Sequence, residues 1–142
     1  RGQSFKIGTI RIIKGMIEDG EWDAVTEFVK HVSDGVSPLM AIGTGGNINR
    51  LQRLIINPKN SPISISKIEE ITTTMKAYTF EDRVKKFALK PDRADVIIPA
   101  AEIYIRVMKL AGANKIIVPK VGLSDGIILK IHEEYLAFKT EK

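Results

Sequence analysis

A layered α/β domain is the fold class this sequence predicts, and three observations predict it. Apolar runs rich in β-branched residues alternate along the chain with segments whose apolar residues recur at helical spacing. At the best-marked junction, Leu39-Met40-Ala41-Ile42 runs into Gly43-Thr44-Gly45-Gly46 and then into Ile48, Leu51, Leu54 and Ile55. That order reads as a buried strand, a tight loop and an amphipathic helix. The 142 residues, 44% of them hydrophobic, suffice for one domain with a real core. No internal repeat, low-complexity tract or linker divides them.

In chain order, residues 4–13 (S-F-K-I-G-T-I-R-I-I) read as a strand covered on both faces, with Gly8 marking a bulge or a close approach. Residues 19–34 read as a helix capped by Asp19 and ended by Gly35. Trp22, Val25, Phe28, Val29 and Val32 would form its apolar face, with Trp22 as a core anchor and His31 on the opposite side. Ser37-Pro38 leads into the central strand and the glycine loop, followed by a helix to about residue 56 with Asn47 as its N-cap. Residues 57–62 carry the prolines and asparagines of a loop. Ser66 to Glu69 has capping-box spacing before Ile68, Ile71 and Met75. Thr79 and Asp82 repeat the signal ahead of residues 80–87, and this pair of helices reads as an insertion between core elements.

Residues 89–95 form a polar turn. From Ala94 to Ala111 the apolar residues go round every side, as in a mostly buried helix with Pro99 in its first turn or at a kink. Gly112 closes it, residues 115–119 make a short buried strand, and a second glycine loop at 121–126 precedes a last helix from about residue 127.

Composition excludes several classes. Without cysteine there is no disulfide framework and no thiolate metal site, and two histidines make a poor metal set. No apolar run approaches the roughly 20 residues of a membrane span. No signal-peptide pattern is present, and a cytoplasmic location is the default, although the opening Arg1-Gly2-Gln3 suggests that the native N-terminus lies further upstream. The net charge of +5 favours anionic partners. Lysines and arginines are interleaved with acids and no basic run carries stacking rings, so neither a nucleic acid nor a membrane is an expected partner.

The glycine loop carries the chemistry. Glycines let the backbone take positive φ and let a ligand approach the main chain. The first amides of the next helix lack intrahelical acceptors and sit at the positive end of its dipole, a ready seat for phosphate. A strand-to-helix turn that needs glycine only for packing is the competing reading. The loop is not a P-loop, since Gly46 is followed by Asn47-Ile48 rather than Lys-Ser/Thr, and only Gly43 and Gly45 match a dinucleotide fingerprint.

Four segments stand in a telling order: Ser4-Phe5-Lys6-Ile7-Gly8-Thr9-Ile10-Arg11, Ile42-Gly43-Thr44-Gly45-Gly46-Asn47-Ile48, Arg93-Ala94-Asp95-Val96-Ile97-Ile98-Pro99-Ala100-Ala101, and Val121-Gly122-Leu123-Ser124-Asp125-Gly126. Together they resemble the second actin-like domain of the exopolyphosphatase / guanosine pentaphosphate phosphohydrolase (Ppx/GppA) family. The resemblance implies an α/β, ribonuclease-H-like domain spanning 1–142, of the actin-like ATPase superfamily, with a helical insertion at about 63–90. It also implies a parent phosphohydrolase that removes terminal phosphate from inorganic polyphosphate or guanosine pentaphosphate. In such an enzyme two domains close over the phosphate chain, and a carboxylate helps water attack phosphorus with Mg2+ assisting.

By the same resemblance Gly43, Thr44, Gly45, Gly46, Asn47 and Asn49 line one wall of the cleft, and Arg93 reaches the anionic ligand. A local ion pair of Arg93 with Asp92 or Asp95 is the alternative. The family's acid-bearing glycine hairpin, D-[IL]-G-G-G-S-x-E, has no counterpart before Ser4. The expectation is therefore a fragment whose sheet lacks its first two strands, with the catalytic acids in a missing N-terminal domain. No residue here is assigned as catalytic, no metal is bound by this chain alone, and the isolated chain is inactive. The strand at 4–13 would then have to re-pair, swap with a second copy in a homodimer, or leave an edge exposed. A non-catalytic sensor of polyphosphate or guanosine tetraphosphate, and a purely structural dimerisation half, are the competing functions.

Overall fold

Eight helices surround three short strands in a computed structural model that describes residues 2–56, 58, 61–119 and 121–140. The helices are α1 (Thr9–Ile13), α2 (Glu21–Ser33), α3 (Gly46–Leu54), α4 (Ile65–Lys76), α5 (Phe80–Lys86), α6 (Pro91–Ala94), α7 (Ile97–Ala111) and α8 (Leu123–Thr140). The strands are β1 (Ala41–Ile42), β2 (Ile63–Ser64) and β3 (Lys115–Ile117). The sheet runs β1-β3-β2, with β1 parallel to β3 (Ala41 opposite Ile116) and β2 antiparallel to it (Ile63 opposite Ile116). Helices dominate this fold, and the sheet is a small mixed one.

Helix α7 is the hub, with α1, α2, α3 and α4 packed against it. Its Ile97, Ala101 and Met108 join Ile48, Leu51, Ile63, Ile68, Met75 and Ile116 in one core. Each large aliphatic side chain so buried contributes about 1.5–3 kcal/mol. Helix α4 thus belongs to the core, through Ile68 and Met75. Pro99 lies in the first turn of α7, where a missing amide breaks no helical bond. The single helix expected from Ala94 is split: α6 ends at Ala94, and α7 starts at Ile97. A proline ring would strike the carbonyl four residues back, that of Asp95, in a continuous helix. Gly112, at φ +68°, closes α7 with bonds from Gly112 N to Lys109 O and from Ala113 N to Met108 O.

Several expectations are corrected. Residues 4–13 form no strand: Thr9–Ile13 is a helix, tied by Ile12 N to Gly8 O at 3.0 Å. β-Branched residues favour strands through cross-strand packing, and no ladder lies beside this segment, so local bonds win. Among the described residues the outer side of β1 carries no strand. Leu39 to Ile42 is accordingly neither central nor buried, since β3 holds the middle and Ile42 is 73% exposed. Helix α2 is capped by Gly20 rather than Asp19. Trp22 is half-buried rather than a core anchor, with the Arg106 guanidinium 3.9 Å from its ring centre. Helix α4 starts earlier than expected, on Ser64 rather than Ser66, because Ser64 Oγ accepts from Lys67 N at 3.4 Å.

The strand β2 has no signal in the sequence beyond Ile63. The residue 57–62 loop falls partly outside the described residues, at Asn57, Lys59 and Asn60. The polar turn at 89–95 contains α6, with Pro91 at its start. Helix α8 begins four residues before the expected Ile127, where Gly122 N donates to Asp125 Oδ2 at 2.7 Å. Among the described residues no helix is long and apolar enough to cross a membrane.

Candidate functional site

The glycine loop leaves β1 and enters α3 through Gly45, whose φ of +108° is open to glycine and strained for any other residue. Gly45, not Asn47, occupies the N-cap position, and Asn47 lies one residue inside the helix. The early start follows from the Asn49 N bond to Gly45 O at 3.2 Å, which closes the first turn. Among the described residues the amides of Thr44, Gly46 and Asn47 donate to no protein atom. These donors stand at the positive end of the α3 dipole, equivalent to roughly half a unit charge. The next amide, that of Ile48, faces the Tyr104 hydroxyl. Burial raises the pKa of that phenol above its ordinary value, and the Ile48 amide pulls partly the other way.

Gly43 differs from its neighbours. Its amide is bonded to Ile117 O at 2.8 Å, in line with the β1–β3 ladder. A Cβ there would stand 2.7 Å from Ile116 Cδ1 and 2.9 Å from Ile48 Cγ1. Packing of β1 on α3 and β3 therefore requires glycine at this position.

Arg93 reaches the loop from α6. Its Nη1 donates to Asn47 Oδ1 at 3.2 Å, and a Cβ on Gly46 would lie 3.5 Å from the same nitrogen. Asp92 also pairs with it, Oδ2 to Nε at 3.6 Å, so Arg93 makes the local ion pair and the loop contact together. Gly46, Asn49, Arg50, Arg53, Ala88, Lys90 and Arg93 line a cleft of about 390 Å3. Its charged side chains are all cationic. Of the residues expected at a phosphate site, Gly46, Asn49 and Arg93 line this cleft, and Asn47 is joined to it through its bond from Arg93. Thr44 and Gly45 stand beside the cleft without lining it, and Gly43 is in the core.

Arg50, Arg53 and Lys90 were not anticipated from the sequence. A signal existed for two of them: a helix opening at Gly46 places Asn49, Arg50 and Arg53 on one face by three- and four-residue spacing. Lys90 required the tertiary fold.

A larger groove, about 890 Å3, lies between α7 and α4 near Ile12 and Trp22. Its lysines are already neutralised, Lys76 by Glu102 at 2.6 Å and Lys109 by Glu69 at 2.6 Å. At the smaller cleft Arg50, Arg53 and Lys90 make no ion pair among the described residues, and this cleft is the candidate site. Among the described residues no group of three or more His, Asp or Glu is placed to hold a metal ion.

No family model and no curated protein matches the sequence. The structure is similar to a crystal structure of the Aquifex aeolicus Ppx/GppA phosphatase, with a TM-score of 0.68 and 23% identity over 92% of this chain and 49% of that one. A second Aquifex aeolicus Ppx/GppA structure gives a TM-score of 0.61 at 21% identity. An exopolyphosphatase from Cytophaga hutchinsonii gives 0.68 at 19% identity, covering 93% of this chain and 49% of that one. The chain thus spans about half the length of these proteins, and its fold is that of one half of a Ppx/GppA phosphatase.

Proposed function

We propose that this chain is the second, ribonuclease-H-like half of a phosphohydrolase of the Ppx/GppA kind, and that the basic cleft beside α3 is one wall of its phosphate-binding site. One observation supports the reading: Arg93, distant in sequence, is bonded to Asn47 at the amino end of α3, where the amides of Thr44, Gly46 and Asn47 donate to no protein atom among the described residues. Main-chain donors and guanidinium would share the oxygens of a terminal phosphate. Neutralising that charge is the larger part of phosphoryl-transfer catalysis that this half can supply. The attacking water, its carboxylate base and any magnesium would be held by the preceding domain of the same protein. Glu69 and Glu102 are engaged by lysines, and Asp125 caps Gly122, which leaves none of them facing the cleft.

Titration of the chain with inorganic tripolyphosphate at low and high salt tests this, with guanosine tetraphosphate as a parallel ligand. Binding is expected to fade as salt screens the cations. Arg93→Met is expected to weaken it by tenfold or more, since a hydrogen bond from a charged donor contributes about 1.5–3 kcal/mol. Gly46→Asp, which places a carboxylate among the amides, should abolish it. No binding by the wild type, or binding indifferent to both substitutions, defeats the proposal. Phosphate release by the chain alone, above the Gly46→Asp control, would contradict the assignment of the catalytic base to another domain.

A further inference from the structure

Arg50 lies on the cleft-lining face of α3, yet part of its guanidinium is turned elsewhere. Its Nη2 donates to Phe87 O at 2.8 Å and also to Ala88 O. Those carbonyls belong to the turn that follows α5. Ala88 has φ +46°, and among the described residues it is the one non-glycine with positive φ. A side chain in the left-handed region is disfavoured, so such a turn persists where surrounding bonds hold it.

The segment beyond this turn bears directly on the cleft. Leu89 is buried, and its amide donates to Val84 O at 3.1 Å. Lys90 is the extended residue before α6, Pro91 starts the helix, and Arg93 N donates to Lys90 O at 2.9 Å. Arg93 then returns to α3 through Asn47. Residues 87–93 are therefore tied to α3 at both ends, by Arg50 at the entry and by Arg93 at the exit, with Lys90 between them on the cleft wall.

We infer that Arg50 is a positioning residue for the cleft: its guanidinium holds the left-handed turn at Ala88, so that Lys90 and Arg93 face the amino end of α3. The planar fork of arginine can hold two adjacent carbonyls from one nitrogen while its remaining donors stay directed to the cleft. The effect of this clamp on ligand binding rests on the anion-site reading above. Its effect on the turn does not.

Two measurements on the chain separate the clamp from an ordinary cationic contact. Amide hydrogen exchange reads the turn at Leu89, Arg93 and Ala94, and titration with tripolyphosphate over a range of salt reads the cleft. Arg50→Met keeps the aliphatic stem and removes the donors. It is expected to speed exchange at these amides by roughly tenfold and to weaken binding. Adding Ala88→Gly should reverse both changes, because glycine adopts this φ without strain. Arg53→Met should weaken binding and flatten its salt dependence, leave exchange unaltered and gain nothing from Ala88→Gly. Arg50→Gln, which retains a donor amide, serves if Arg50→Met does not fold, and should show the same changes at smaller size.

Unchanged exchange at Leu89 on loss of Arg50, or faster exchange that Ala88→Gly fails to reverse, overturns the inference. If the wild type binds no tripolyphosphate, the anion-site reading falls, and the exchange data still decide whether Arg50 holds the turn.

Discussion

Gly43 and Gly46 stand three residues apart and answer to different demands. Gly43 is enclosed by Ile116 and Ile48, and Gly46 opens onto Arg93 at ordinary contact distance. Gly43→Ala should destabilise the fold by about 1–3 kcal/mol, the usual range for an overpacked core. Gly46→Ala should stay within about 0.5 kcal/mol, as surface substitutions do. Urea denaturation midpoints measure both, and equal costs would mean that the loop does not divide into a packed half and an open half. Tyr104 gives a prediction in pH. Burial raises its phenol above the ordinary value of 10.0, so the fold favours the protonated form. The unfolded chain loses that proton first. The stabilising effect is therefore complete below pH 10 and declines as pH rises through the folded-state pKa. Tyr104→Phe should lose less stability than wild type between neutral pH and the alkaline range, read from denaturation at a series of pH values. The glycine cluster was legible from sequence, but the tight packing of Gly43 beside an open Gly46 was not, because Ile116 arrives from a strand far along the chain.

Among the elements, caps decided where helices begin. Thr79 Oγ1 accepts from Asp82 N at 3.2 Å, as the spacing of these residues predicts. Glu81 and Asp82 in the first turn of α5 and Lys85 and Lys86 in its last complement the dipole. Thr79→Ala should cost about 1 kcal/mol, the usual value of an N-cap, with faster exchange at the Asp82 amide; an unchanged rate would show that the cap is idle. Where expectation and structure part, at Asp19, Asn47 and Ser66, a good capping residue lay within two positions of the true cap. Capping chemistry narrows a helix start to a few residues, and the turn geometry chooses among them. Residues 4–13 failed for a different reason. Their β-branched content was read correctly, but a strand exists only beside another strand.

At the scale of the molecule, α7 organises a core that leaves α8 outside it. Leu123 is 82% exposed, and Ile128, Ile131, Tyr135 and Phe138 along the same helix are exposed as well. Removing residues 123–142 should leave the unfolding transition of the remainder within about 0.5 kcal/mol and reduce self-association, because a large apolar patch leaves solution with it. Calorimetry and light scattering measure these outcomes, and a strongly lowered melting temperature would show that α8 packs on the body.

By itself the sequence determined the existence and type of the strongly patterned elements: the amphipathic α2, α3 and α4, the mostly apolar helix that becomes α7, the strand at β3, and a glycine loop ahead of a helix. These follow from periodicity and from backbone chemistry local to each segment. The tertiary structure alone decided that β3 is central and β1 an edge, that residues 9–13 are helical, and that Arg50, Arg53, Lys90 and Arg93 meet at one cleft. Strand order, edge exposure and the convergence of charge depend on which distant segments share space. That is settled by packing around α7, which no local pattern encodes.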